Sequence, residues 1–115
     1  MGDSIFTKII NREIAAKIRY EDDNFIVIDD IRPQAPVHVL LITKKQIISL
    51  EDLSEQDKLL TTLLPTVRKV AKKLGINQNY KLIMNIGLQI QEVKHIHLHI
   101  LGGWQKNEVA LLQNS

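Results

Sequence analysis

At 115 residues, 44% hydrophobic and 24% charged, the chain has the size and composition of one globular domain, spanning 1–115. The formal net charge is +2, with bases and acids interspersed, so no basic block argues for nucleic acid, and no run approaches the roughly 20 apolar residues of a membrane span. With no cysteine, disulfides, thiol catalysis and thiolate metal sites are excluded. The opening residues lack the apolar stretch of a signal peptide, so a cytoplasmic protein is expected.

Ser4 is placed to cap a short helix over Ile5 to Asn11, with Ile5, Phe6, Ile9 and Ile10 on its apolar side. Ile18 to Glu21 and Phe25 to Asp29 read as two short strands around the turn Glu21-Asp22-Asp23-Asn24. Two prolines make 31–36 a loop, and Val37 to Thr43 is an aliphatic run interrupted by His38, read as a central strand. Ser54 to Asp57 resembles a capping box ahead of a long helix. Leu59, Leu60, Leu63, Leu64, Val67, Val70, Ala71 and Leu74 recur there at helical spacing. Pro65 should kink this helix, and Gly75 should end it. Asn79 to Asn85 is predicted as a strand, 87–91 as a loop and Val93 to Leu101 as a last strand, before Gly102-Gly103 and a weakly patterned tail. Short connections favour antiparallel pairing, so the expected class is α+β: about five antiparallel strands covered by one long helix and a short N-terminal helix.

The last strand carries His95, His97 and His99 alternating with Ile96, Leu98 and Ile100. On a regular strand all three imidazoles share one face. Such a set can bind a metal, with His38 as a further ligand, or act on a phosphorus centre. Against the metal, there is no cysteine, and no acid follows the histidines as it would in a two-His, one-carboxylate site. Glu92, the nearest acid, falls with Lys94 on regular alternation, away from the histidine face. Neutral imidazole is a competent nucleophile near pH 7, and neighbouring imidazoles can hold its tautomer and bind phosphate oxygens.

The run His95-Ile96-His97-Leu98-His99-Ile100-Leu101 resembles the signature of the histidine triad (HIT) family, in particular its Hint-type purine nucleotide phosphoramidases. A second block, Asp30 to His38 followed by Lys44-Lys45, is similar to the family in the same order, and the similarity runs from about Ser4 to Gly103. The resemblance implies a homodimer with a sheet continuous across the interface, acting on purine nucleoside 5′-phosphoramidates or related nucleotide conjugates without cofactor, catalytic metal, nucleic acid or membrane. By position, His97 would be the nucleophile forming a nucleotidyl intermediate, and His99 would contact phosphate and leaving group. His95 and His38 would orient and tune His97. Asp30 would hold the ribose hydroxyls and Asn85 the phosphate. Ile5, Phe6, Ile9, Ile14, Ile28 and Ile31 would line the base pocket, or else serve as plain core.

The chain departs from the family pattern just before the triad, where Gly-Gln-Ser/Thr-Val is usual and Ile90-Gln91-Glu92-Val93 stands instead. Ile90 puts a branched side chain where the glycine lets backbone approach phosphate, and Glu92 replaces a hydroxyl with a carboxylate. The resemblance therefore leaves two readings: an enzyme, with Glu92 favouring cationic amine leaving groups, or a nucleotide-binding or interaction protein with reduced activity. Thr7 and Gln46 stand where many bacterial relatives place a cysteine and a histidine of a structural zinc, so no such zinc is expected.

Overall fold

The computed structural model describes residues 2–105; the tail from residue 106 on, counted with the domain above, lies outside them. Helix α1 (Ile5–Ile10) is capped by Ser4, whose hydroxyl oxygen accepts from the Thr7 amide. Strands β1 (Ile18–Glu21), β2 (Phe25–Asp29) and β3 (Val37–Thr43) follow with the bounds the sequence predicts. After a 3-10 turn (Leu50–Asp52) come helix α2 (Lys58–Lys73), strand β4 (Tyr80–Ile83) and strand β5 (His97–Gly102). All pairings are antiparallel and the sheet order is β1-β2-β3-β5-β4, so the two histidine-bearing strands, β3 and β5, lie side by side.

The sequence expectations need three corrections. The cap of α2 is Asp57, whose carboxylate accepts from the Leu59 amide, and not Ser54. Asp57 wins because the Ser54 segment is a separate turn, closed by Asp57 N–H donating to the Ser54 carbonyl, and the true capping box sits earlier, at Ser49 and Asp52. The predicted β4 is shorter, ending at Ile83 and leaving Asn85 beyond it. Strand β5 begins at His97, so His95 precedes it; the Ile96 amide donates to the Ile47 carbonyl instead of joining a ladder. Helix α2 runs through Pro65 as one element. It ends in a Schellman arrangement around Gly75 (φ +73°), with Ile76 N–H on the Ala71 carbonyl and Gly75 N–H on the Lys72 carbonyl.

Alternation along the strands separates two cores. Phe25, Val27, Val39, Leu41, Leu98 and Ile100 pack under α2 with Leu63, Val67 and Val70. Ile26, Ile28, Leu40 and Ile42 face the other way and pack under α1 through Phe6 and Ile9. Gly102 ends β5 where the backbone passes close to Ile76; a Cβ there would sit 2.9 Å from its Cδ1 and 3.0 Å from its Cβ. Helix α1 is only six residues long, so it covers only part of its face of the sheet. The uncovered part holds His38 and His99.

Candidate active site

His97 Nδ1 lies 2.7 Å from the backbone carbonyl oxygen of His95. A carbonyl only accepts, so the ring donates from Nδ1 and, when neutral, keeps the lone pair on Nε2. The Phe6 ring meets His97 edge-on at 5.0 Å and His95 at 5.7 Å, so α1 walls the pair from one side. His95 is fully buried. Its Nε2 lies 2.7 Å from the Thr43 carbonyl and its Nδ1 2.6 Å from Ser4 Oγ. Burial is the main cause holding the His95 pKa below its ordinary value; His97 adds to it and the Thr43 carbonyl opposes it.

His38 and His99 form a second pair. The Gln34 amide donates to His38 Nδ1 at 3.0 Å, which leaves the proton of neutral His38 on Nε2. His38 Nε2 is 2.9 Å from His99 Nδ1, so His38 donates, His99 accepts, and His99 carries its own proton on Nε2. The His97 and His99 ring centroids are 5.5 Å apart. His38 thus orients His99, whereas the sequence reading has it orienting His97. Burial, followed by the neighbouring His97 and His38, lowers the His99 pKa; Asp30 and Glu92 pull it back up. Both shifts favour the neutral imidazole at His95 and His99.

Asp30 places Oδ2 3.4 Å from His38 Nε2 and 3.8 Å from His99 Nδ1, while its Oδ1 accepts from the Arg32 amide. Asp30, His38 and His99 are a set of potential metal ligands among the described residues. The Gln34 amide counts against a cation there: it occupies the Nδ1 lone pair of His38, so Nε2 presents a proton to the cluster instead of a lone pair. Thr7 and Gln46 do not fit a structural zinc either, since they offer only oxygen and amide donors and are bonded to each other, Thr7 Oγ1 to Gln46 Oε1 at 2.6 Å.

A cleft of about 390 Å³ gathers Asp30, Arg32, His38, Asn85, Glu92 and His99. Glu92 thus faces the histidines after all; the strand starts later than predicted, so strand alternation does not govern residues 92–94. A neighbouring cleft of about 410 Å³ is lined by Ser4, Ile5, Gln46, Glu92 and Val93, which leaves Glu92 on the wall between the two. Of the residues expected at the base pocket, Phe6, Ile9 and Ile28 are buried core, while Ile5, Ile14 and Ile31 are exposed, Ile31 by 92%. Ile14, Ile31 and the exposed Ile90 do not line the histidine cleft.

Gln91 carries a role the sequence reading did not assign. Its side chain is buried, donates to the Ile48 carbonyl at 2.7 Å and to the Val93 carbonyl, and accepts from the Gly87 amide at 2.9 Å. Lys94 Nζ donates to the Leu88 and Gln91 carbonyls. These two side chains hold the segment before the triad in place of strand pairing. A glutamine flanked by Ile90 and Glu92 gives no sequence signal of burial; only its place in the family's Gly-Gln-Ser/Thr-Val run could have drawn notice to it.

The profile of a family described as "Scavenger mRNA decapping enzyme C-term binding" matches residues 3–110. A HIT-like protein of Synechocystis is 50% identical over 103 residues, covering 88% of this chain and 90% of that one. The chain belongs to the HIT family. Among solved structures, a HIT family hydrolase from Legionella pneumophila aligns with a TM-score of 0.81 at 42% identity, over 90% of this chain and 95% of that one. A histidine triad nucleotide-binding protein from Candida albicans aligns with a TM-score of 0.76 at 30% identity, over 97% of this chain and 93% of that one. The HIT fold accounts for the order of events along this chain: β3 and β5 must be neighbours for His38 to reach His99, and α1 must fold back for Phe6 to reach His97. Among the described residues, no helix is long and apolar enough to cross a membrane.

Proposed function

We propose that this HIT-family chain is a nucleotide-binding hydrolase of the Hint type, a purine nucleoside phosphoramidase working through a covalent nucleotidyl-histidine at His97. One observation carries the reading: His97 has its Nδ1 proton committed to the His95 carbonyl, which leaves Nε2 as a nucleophile beside the donor His99. The Legionella relative is described as a hydrolase and the Candida relative as nucleotide-binding, which supports both halves of the reading.

In the proposed reaction His97 Nε2 forms a bond to phosphorus and the P–N bond to the amine breaks. The amine leaves with that electron pair and takes a proton from solvent, which the open cleft admits. The imidazolium so formed keeps its Nδ1–H on the His95 carbonyl, an acceptor already aimed at the developing charge. His99 Nε2–H holds a phosphoryl oxygen, and His38 keeps that proton on the right nitrogen. Water then attacks phosphorus and gives up a proton to solvent, the P–Nε2 bond breaks, and His97 departs as neutral imidazole with its Nδ1–H in place. Asp30 accepts from the ribose hydroxyls and Asn85 contacts phosphate. The base pocket of this reading draws on exposed Ile5, Ile14 and Ile31 and on buried Phe6, Ile9 and Ile28. A homodimer extends the sheet through the edge strand β4, where Leu82 and Ile83 are exposed.

Glu92 in the cleft supports a second reading, that of a nucleotide-binding or interaction protein with reduced activity, because a carboxylate facing the cleft opposes the negative charge of a reacting phosphoryl group. Turnover of adenosine 5′-phosphoramidate separates the two. The enzyme reading expects hydrolysis by wild type and its loss in His97→Ala; binding of AMP without hydrolysis would establish the binder.

A further inference from the structure

We propose that Ser4 is a positioning residue for His95 and, through it, for the nucleophile His97; the functional part of this rests on the nucleotidyl-transfer reading above. The argument follows the protons. His95 Nε2 faces the Thr43 carbonyl, which can only accept, so neutral His95 carries its proton on Nε2 and a lone pair on Nδ1. Ser4 Oγ, at 2.6 Å, is the group that can fill that lone pair. Its hydroxyl could also turn to Thr7 Oγ1, but that contact is longer, 3.3 Å, and would leave the buried Nδ1 of His95 without a donor.

Ser4 is in turn held in place. Its amide donates to Gln46 Oε1 at 2.8 Å, and Gln46 Nε2 donates to the Gly2 carbonyl at 3.1 Å. The Ser4 oxygen also accepts from the Thr7 amide, the cap of α1. One hydroxyl therefore performs two tasks, as acceptor for the helix and donor to the buried ring. The backbone of that ring presents the carbonyl that fixes the His97 tautomer. Without the donor, His95 is able to move its proton to Nδ1 and leave Thr43. The His95 carbonyl then loses its fixed aim, and His97 can carry its proton on Nε2, where it blocks attack. Because α1 also brings Phe6 against both rings, Ser4 joins the helix of the nucleoside side to the reacting imidazole.

Ser4→Asp separates the two tasks. Aspartate is a good helix cap but, as a carboxylate, offers no proton to His95 Nδ1. In the full chain, the single-turnover rate on adenosine 5′-phosphoramidate should fall about tenfold in Ser4→Ala and in Ser4→Asp, the loss of one orienting hydrogen bond, with AMP affinity changed by less than about twofold. Ser4→Thr, which keeps the hydroxyl, should restore the rate to within about twofold. Imidazole nitrogen NMR supplies a readout independent of turnover. His95 should change from the Nε2–H to the Nδ1–H form in Ser4→Asp, and His97 should lose its pure Nδ1–H signature. A wild-type rate in Ser4→Asp, or an unchanged His97 tautomer in that variant, would overturn the proposal. Should wild type turn over no phosphoramidate, the functional reading fails while the NMR comparison still decides the role of Ser4.

Discussion

The two faces of the sheet are made from the same strands, yet they do opposite work. Under the sixteen-residue α2 lie Phe25, Val27, Val39, Leu41, Leu98 and Ile100 from alternate positions of β2, β3 and β5, and Phe25, Val27, Val39 and Ile100 are fully buried. On the opposite face the intervening positions are split. Ile26, Ile28, Leu40 and Ile42 are sealed by a six-residue helix, while His38, His97, His99 and Leu101 fill the remainder. The first face gains stability from burial alone. The second keeps its polar groups only because each is satisfied: among the described residues, no buried side-chain nitrogen or oxygen lacks a partner. A short helix thus achieves what a long one could not, covering His97 from one side and leaving the cleft lined by His38 and His99 open.

Substitutions on the two faces should therefore separate stability from chemistry. His97→Ala should lower phosphoramidate turnover by roughly 10³-fold or more, with little change in Tm, since this face loses a reacting atom and not a core. Phe25→Ala on the other face should cost about 3–5 kcal/mol in denaturant unfolding, while the rate per folded molecule stays near wild type. His38→Ala, which removes one orienting bond to His99, should slow turnover roughly tenfold. Glu92→Ser should have the smallest effect, a shift of about two- to fivefold away from basic amine leaving groups. Equal gains for neutral and basic leaving groups would show that Glu92 merely repels phosphate.

Between pH 7 and pH 5, above the range in which carboxylates titrate, acid should act chiefly on the histidine face. Folding lowers the proton affinity of His95 and His99, so the unfolded chain binds protons first as pH falls. The stability they contribute is present above their unfolded pKa near 6.5 and is lost as pH falls from there through their lower folded values. Tm should drop between pH 7 and pH 5, and His99→Gln should flatten part of that slope.

The elements that build the α2 face were legible in the sequence, because the apolar runs of β2 and β3 and the 3.6 period of α2 are local. Gly75 was legible for the same reason, since only a residue at ease with positive φ closes that helix. The four histidines could be picked out, but their pairing could not. Nothing local says that the Gln34 amide sets the His38 tautomer and hands His38 to His99 instead of His97. Strand alternation also failed at residues 92–96, where Gln91 and Lys94 bond to carbonyls and replace the ladder, turning Glu92 toward the cleft. The Ser4–His95 bond joins positions 91 apart in the chain, a separation at which periodicity carries no information.

The central claim is that His97 Nε2 attacks phosphorus. Acid quenching of the full chain during turnover of adenosine 5′-phosphoramidate, followed by peptide mass analysis, tests it most directly. The account predicts a transient adenylyl adduct on the peptide bearing His97, absent from His97→Ala. Turnover with no adduct, an adduct on another residue, or undiminished hydrolysis by His97→Ala would contradict it.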